Sequence, residues 1–152
     1  MSQLSEEFIE RKSLEIHQTA TSVVTHIDTL LDVAGKSRSL GVRSDEGHVD
    51  IPRMIEGKVN VMVFAAWCSP SPHFETEYQN RLEHTPLKRA IQLFDAFYLE
   101  LEKNKDTLAL ATKYSDIIDA NKDDKIAAIL AMEGGEALEG KLEALRVFYQ
   151  LG

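Results

Sequence analysis

The stretch that decides the fold is Val59-Asn60-Val61-Met62-Val63-Phe64-Ala65-Ala66-Trp67. It is almost continuously apolar and rich in β-branched residues, which is typical of a strand covered on both faces, as strands of parallel sheets are. Similar runs lie at residues 23–31 and 125–132, and a short apolar piece at 108–111 is a fourth candidate. The sequence therefore predicts three or four strands of a parallel sheet.

Helical patterns separate these strands. Residues 5–19 carry a loose amphipathic pattern with Ser5 as N-cap, so residues 1–20 are interpreted as a lead-in helix. Pro86 opens a clear helix that ends near Asn104, and further helices are predicted around 75–82, 115–120 and 138–151. The alternation of strands and helices predicts right-handed β-α-β crossovers within one α/β region, residues 1–152.

Composition limits the class of protein. The 152 residues are 43% apolar and 28% charged, which is typical of one globular domain with a core. A formal net charge of -8 argues against nucleic acid or an anionic membrane as partner. The acidic N-terminus lacks the apolar core of a signal peptide or membrane anchor, so we expect a cytoplasmic location. The single cysteine, Cys68, excludes an internal disulfide and is interpreted as a small packing residue.

Two of the predicted strands end in residue types that can bind metals. His26 and Asp28 are two positions apart and therefore share one face of the first strand, and Glu133 follows the run at 125–132. Parallel α/β proteins place their sites at these carboxyl ends. An imidazole with carboxylates can bind zinc or another divalent ion, and paired ions can hydrolyse an amide.

The His-x-Asp spacing is a weak signal by itself, and spacing alone favours a structural role. A second copy, His48-Val49-Asp50, has no strand before it. There we interpret Asp50 as the N-cap of a short helix that continues through residue 56, and His48 as a surface residue or one that supports the ligands. The remaining histidines, His17, His73 and His84, are expected to be solvated rather than to bind metal.

Four segments, taken in order, resemble the membrane (renal) dipeptidase family. They are Thr25-His26-Ile27-Asp28-Thr29-Leu30-Leu31, Gly47-His48-Val49-Asp50-Ile51-Pro52-Arg53-Met54-Ile55-Glu56-Gly57, Phe64-Ala65-Ala66-Trp67 and Met132-Glu133-Gly134-Gly135. The resemblance implies a (β/α)8 TIM-type barrel that hydrolyses dipeptides with two zinc ions. By the same resemblance, His26 and Asp28 match the first metal-binding pair, and Glu133 matches the catalytic carboxylate that bridges the ions. The chain departs from the family pattern at Val24, Ile27 and Glu136, where an acidic residue, Asn and His are usual.

The length of the chain adds an expectation. A (β/α)8 barrel needs at least about 200 residues and eight strands, so this chain is expected to form the N-terminal part of an incomplete barrel. The 152-residue chain alone is then expected to have weak or no activity, because its three ligands cannot complete the coordination of two ions.

Two other readings stay open. A catalytically inactive barrel fragment could act as a binding or assembly module, and its open sheet edge would favour self-association or a homodimer. Another amidohydrolase-like barrel would normally present His-x-His on its first strand, where this chain has His26-x-Asp28.

Overall fold

The computed structural model describes residues 5–35, 38–69 and 85–152. Its helices and strands follow one another in this order: α1 (Glu6–Thr19), β1 (Val23–Ile27), α2 (Leu30–Ala34), α3 (Ile51–Glu56), β2 (Val61–Trp67), α4 (Pro86–Lys103), β3 (Leu108–Leu110), α5 (Tyr114–Lys122), β4 (Ile126–Glu133), a short 3-10 turn (Glu136–Leu138) and α6 (Leu142–Leu151). The predicted α/β class is confirmed. Within the described residues, no helix is long and apolar enough to cross a membrane.

The four strands form one parallel sheet in the order β1-β2-β4-β3. β2 and β4 pair along their whole length, from Val61 with Ala127 to Trp67 with Glu133. β3 pairs with the first three residues of β4. Because the chain passes beyond β4 to form β3 and then returns, right-handed crossovers require α4 and α5 to lie on opposite faces of the sheet.

Side-chain packing agrees with this arrangement. On one face, Met62, Phe64 and Leu130 belong to the main core together with the buried side of α4. The Phe64 and Phe97 rings lie 5.5 Å apart between centroids. On the other face, a smaller cluster joins Val61 and Ala127 to Ala120 of α5. Alternating residues of β2 and β4 therefore fill two cores, which explains their continuous apolar sequences.

Two predicted elements have different bounds in the structure. The first strand was expected over residues 23–31, but β1 ends at Ile27 and α2 begins at Leu30, whose side chain is fully buried. The last helix was expected over residues 138–151. It is divided because Glu139 and Gly140 adopt φ values of +48° and +71°, which a helix cannot contain. The helix predicted at 75–82, with His73 and His84, lies outside the described residues.

Asp50 holds the loop between α2 and β2 in place. As predicted, it is the N-cap of α3, and its fully buried carboxylate accepts hydrogen bonds from the backbone N–H groups of Arg53 (2.9 Å) and Ser44 (3.2 Å). It also accepts one from Nε of Arg53 at 2.7 Å. Burial acts to raise the pKa of Asp50, but these hydrogen bonds outweigh it and lower the pKa to about 2. The folded state therefore favours the ionised carboxylate.

This pKa predicts a specific acid sensitivity. A carboxyl group whose pKa is depressed on folding stabilises the protein above its unfolded pKa, and that contribution is lost as pH falls through the folded value. We expect Asp50→Asn to lower the free energy of unfolding by about 1–2 kcal/mol at pH 6. The difference from wild type should shrink between about pH 4 and pH 2. Urea unfolding across this range measures it, with the exposed Asp106→Asn as control; a difference that does not vary with pH would contradict the assignment.

Candidate metal centre

The three predicted ligand residues converge at the carboxyl edge of the sheet. His26 lies near the end of β1, Asp28 directly follows that strand, and Glu133 is the last residue of β4. Nε2 of His26 lies 3.4 Å from Oδ2 of Asp28 and 3.4 Å from Oε2 of Glu133. One possible ligand atom from each residue lies within 4.8 Å of the others. Among the described residues, this is the one group of three or more such side chains.

The pairing of β1 with β2 is irregular next to His26. Val24 pairs with Met62 and Ile27 pairs with Phe64, so three steps along β1 correspond to two steps along β2. One extra residue in β1 is a bulge, a feature that often redirects side chains near sites. Val24 and Ile27 consequently both pack against the main core. His26, in contrast, is half-exposed at the strand end.

This packing explains two of the departures from the family pattern. Val24 and Ile27 stand where the family usually has an acidic residue and Asn, and here both side chains are partly buried against apolar neighbours. An apolar residue suits each of these positions. Neither side chain contributes a polar group that could orient His26.

Glu133 has one buried carboxylate oxygen that could bind a cation. Its side chain is 44% exposed, yet Oε2 is buried and accepts no hydrogen bond within the described part of the chain. The 3.4 Å contact with His26 is an ion-pair distance rather than a good hydrogen bond. Leaving a buried carboxylate oxygen without a donor is costly, and a bound cation would remove that cost. One imidazole nitrogen and two carboxylates form a donor set that suits zinc and related divalent ions.

The turn after Glu133 brings other polar groups close without adding them to the cluster. Gly134 has a φ of +86°, a conformation that favours glycine, and Oε2 of Glu136 lies too close to leave room for a Cβ at Gly134. Glu136 therefore folds back over this turn.

Cys68 is buried as predicted, and burial raises the pKa of its thiol to about 11. It stays protonated near neutral pH and is a poor metal ligand there.

The other histidines occupy different places. Nε2 of His17 lies 2.6 Å from the carbonyl oxygen of Gly57 and is exposed, as expected for a surface residue. His48 is also exposed, but it lines a cavity of about 460 Å³ that His26 and Asp28 share. The sequence signal for this placement was the second His-x-Asp copy. Sequence reasoning assigned His48 to the surface or to the support of the ligands and did not place it in this cavity.

Comparison with known proteins gives a consistent result. Residues 10–152 match the family of membrane dipeptidases, peptidase family M19. Dipeptidase tcpJ of Claviceps purpurea is 24% identical over 106 residues, which cover 70% of this chain and 25% of that protein. Dipeptidase verJ of Clonostachys rogersoniana is also 24% identical over 106 residues, covering 69% of this chain and 27% of that protein. This chain thus spans about a quarter of the length of these relatives.

Solved structures show the same partial overlap. The crystal structure of dipeptidase AC, a metallopeptidase of family M19, is 25% identical, with a TM-score of 0.72 over 88% of this chain and 41% of that one. The metallopeptidase of Rhodobacter sphaeroides, solved with a phosphinate mimic of the dipeptide L-Ala-D-Ala, shares the fold at 22% identity and a TM-score of 0.73, over 88% of this chain and 44% of that one. The parallel sheet is thus part of a TIM-type barrel, as predicted. The chain belongs to the membrane dipeptidase family, peptidase family M19.

Proposed function

We propose that this chain carries the first half of a binuclear zinc site that hydrolyses dipeptides. The observation that carries this proposal is the buried Oε2 of Glu133, which accepts no hydrogen bond from the described residues and faces His26 at the edge where barrel enzymes hold their sites. Membership of a dipeptidase family supplies the reaction class. The identity of the metal and the number of ions are part of the proposal.

Each residue has a separate role in this proposal. His26 offers its Nε2 nitrogen, and Asp28 offers Oδ2 beside it. Glu133 has two carboxylate oxygens, which is the requirement for a ligand shared between two ions. When bound, divalent ions would polarise the peptide carbonyl of the substrate and lower the pKa of a bound water molecule.

Zinc titration of the chain by calorimetry tests the proposal. We expect binding of at least one ion, weakened at least about 10-fold by His26→Gln, which removes a nitrogen ligand. His17→Gln is the matched control, because His17 lies in α1, which precedes the start of β1, whereas His26 lies near the end of that strand. Absence of zinc binding, or equal weakening by both substitutions, would refute the proposed site.

Hydrolysis of L-alanyl-L-alanine with added zinc or cobalt tests the reaction. We expect weak or no turnover by the 152-residue chain, because three protein ligands cannot complete the coordination of two ions. Strong turnover that disappears in Glu133→Gln would show that this part of the site suffices for catalysis.

The alternative is a non-catalytic role as an assembly module, and the exposed apolar side chains of two helices support it. Helix α1 has no buried residue and exposes Phe8, Ile9, Leu14 and Ile16. Helix α6 likewise exposes Leu142, Leu145 and Val147. Such apolar surface is typical of an assembly module that pairs with itself, for instance as a homodimer. Light scattering and dye binding distinguish the two roles, since a monomer that binds no hydrophobic dye would count against this alternative.

The cytoplasmic location stays a prediction.

A further inference from the structure

Trp67, the single tryptophan of the chain, is the last residue of the strand that separates two of the proposed ligands. β2 lies between β1 and β4 in the sheet. His26 on β1 and Glu133 on β4 therefore reach each other across β2, where Nε2 and Oε2 approach to 3.4 Å. The side chains that β2 directs to this face consequently lie next to the contact.

The packing of neighbouring residues identifies that face of the sheet. Phe64 pairs with Ile27, and both side chains pack in the main core. His26 directly precedes Ile27, so its side chain is directed to the opposite face. Met132 also packs against the main core, so Glu133, the next residue, is directed to the same face as His26. The contact between the two side chains agrees with this assignment.

Two residues at the end of β2 share this face. Trp67 pairs with Glu133, and residues paired side by side in a parallel sheet direct their side chains to the same face. Ala65, two positions earlier, shares the face and is buried. Its methyl group leaves room for the longer side chains of His26 and Glu133 to meet above β2. Trp67 lies one step closer to the carboxyl edge and places a large ring beside that space.

The burial of Trp67 and Glu133 fits this position. The side chain of Trp67 is partly buried, yet it belongs to neither of the two hydrophobic clusters that the described residues form. Glu133 shows a complementary pattern, because its side chain as a whole is 44% exposed whereas Oε2 is buried. An indole ring packed against the carboxylate would account for both observations.

We propose that the indole of Trp67 packs against the Glu133 carboxylate and makes Trp67 a positioning residue of the metal centre. This inference rests on the proposed function. The ring restricts rotation of the Glu133 side chain and keeps water away from Oε2, so this oxygen is directed toward His26 before a cation binds. A side chain that is already ordered loses less conformational entropy on binding. The apolar ring also lowers the local dielectric, which strengthens the attraction between the carboxylate and a cation.

Tryptophan fluorescence tests the placement directly, because all tryptophan emission comes from Trp67. Cobalt(II) competes with zinc for sites of this ligand type and quenches an indole at short range. We expect cobalt to quench most of the wild-type emission and the quenching to saturate. Zinc should reverse it by competition, and His26→Gln should weaken it in step with the loss of metal affinity. Cobalt that binds, as measured by calorimetry, without quenching the indole would overturn the proposal.

Substitution tests whether the ring positions Glu133. We expect Trp67→Ala to weaken zinc binding about 10-fold, the lower end of the range for residues that orient a ligand. Trp67→Phe keeps an apolar ring and should stay within about 3-fold of the wild-type affinity. Ile129→Ala is the matched control, because Ile129 lies on the same face of β4 but packs against the smaller cluster. It should destabilise the metal-free chain without changing the zinc affinity.

Thermal melting of the metal-free variants shows whether they are folded. Because Trp67 belongs to neither cluster of described residues, Trp67→Ala should stay folded; the quenching of wild type tests the placement even if it does not. A folded Trp67→Ala that binds zinc like wild type, or equal weakening by Ile129→Ala, would overturn the positioning role. A wild-type chain that binds neither zinc nor cobalt would instead refute the proposed function, and the inference with it.

Discussion

Replacing Glu133 by glutamine is expected to lower the affinity of the chain for zinc by at least about 100-fold. Loss of a residue that only orients a ligand costs about 10-fold to 100-fold, so loss of a charged ligand should cost at least as much. Glutamine keeps the volume of the side chain and one carbonyl oxygen but removes the negative charge. Competition with a chromophoric chelator at constant pH measures the two affinities.

The same substitution separates a metal ligand from a structural residue. Oε2 of Glu133 accepts no hydrogen bond from the described residues, so glutamine removes no such bond to this oxygen. We therefore expect the metal-free variant to melt at the wild-type temperature or above it. Glu143→Gln makes the same charge change at an exposed position of α6. A variant that melts lower without zinc but binds zinc like wild type would show that Glu133 is structural.

Replacing Phe64 by alanine is expected to destabilise the chain by about 3–5 kcal/mol. Phe64 is fully buried at the centre of β2, and its ring packs against Phe97 of α4. Removing the ring leaves a cavity between the sheet and its main covering helix. Phe64 also pairs with Ile27, the residue beyond the bulge, so a shift at this point would reach His26. Urea unfolding of metal-free protein measures the effect.

Two variants keep this prediction testable even if Phe64→Ala does not fold. Phe64→Leu retains most of the volume and should cost less than about 1.5 kcal/mol. Phe8→Ala makes the identical chemical change on α1, where the side chain is 40% exposed, and should cost less than about 1 kcal/mol. If Phe8→Ala proved as destabilising as Phe64→Ala, the core would not lie where the structure places it.

Much of the architecture could be predicted because its signals are local. The continuous apolar run at 59–67 indicated a strand covered on both faces, and Pro86 marked the start of α4. Asp50 was identified as an N-cap because the capping residue and the helix it caps are adjacent in sequence. Two predictions were wrong: that the first strand continues to residue 31, and that one unbroken helix covers residues 138–151. The burial of Leu30 and the backbone conformation of Glu139 have no clear signature in the apolar pattern.

By itself, the sequence determined the class of fold, the residues with ligand chemistry and the strand ends on which they lie. Hydrophobic period and residue type are properties of short segments, and they do not depend on distant parts of the chain. Only the tertiary structure decided the strand order β1-β2-β4-β3, the bulge beside His26 and the place of His48 in the cavity. It also decided that Oε2 of Glu133 is buried without a hydrogen bond from the described residues. Each of these depends on contacts between residues far apart in sequence, and therefore on how the strands pair and the loops pack.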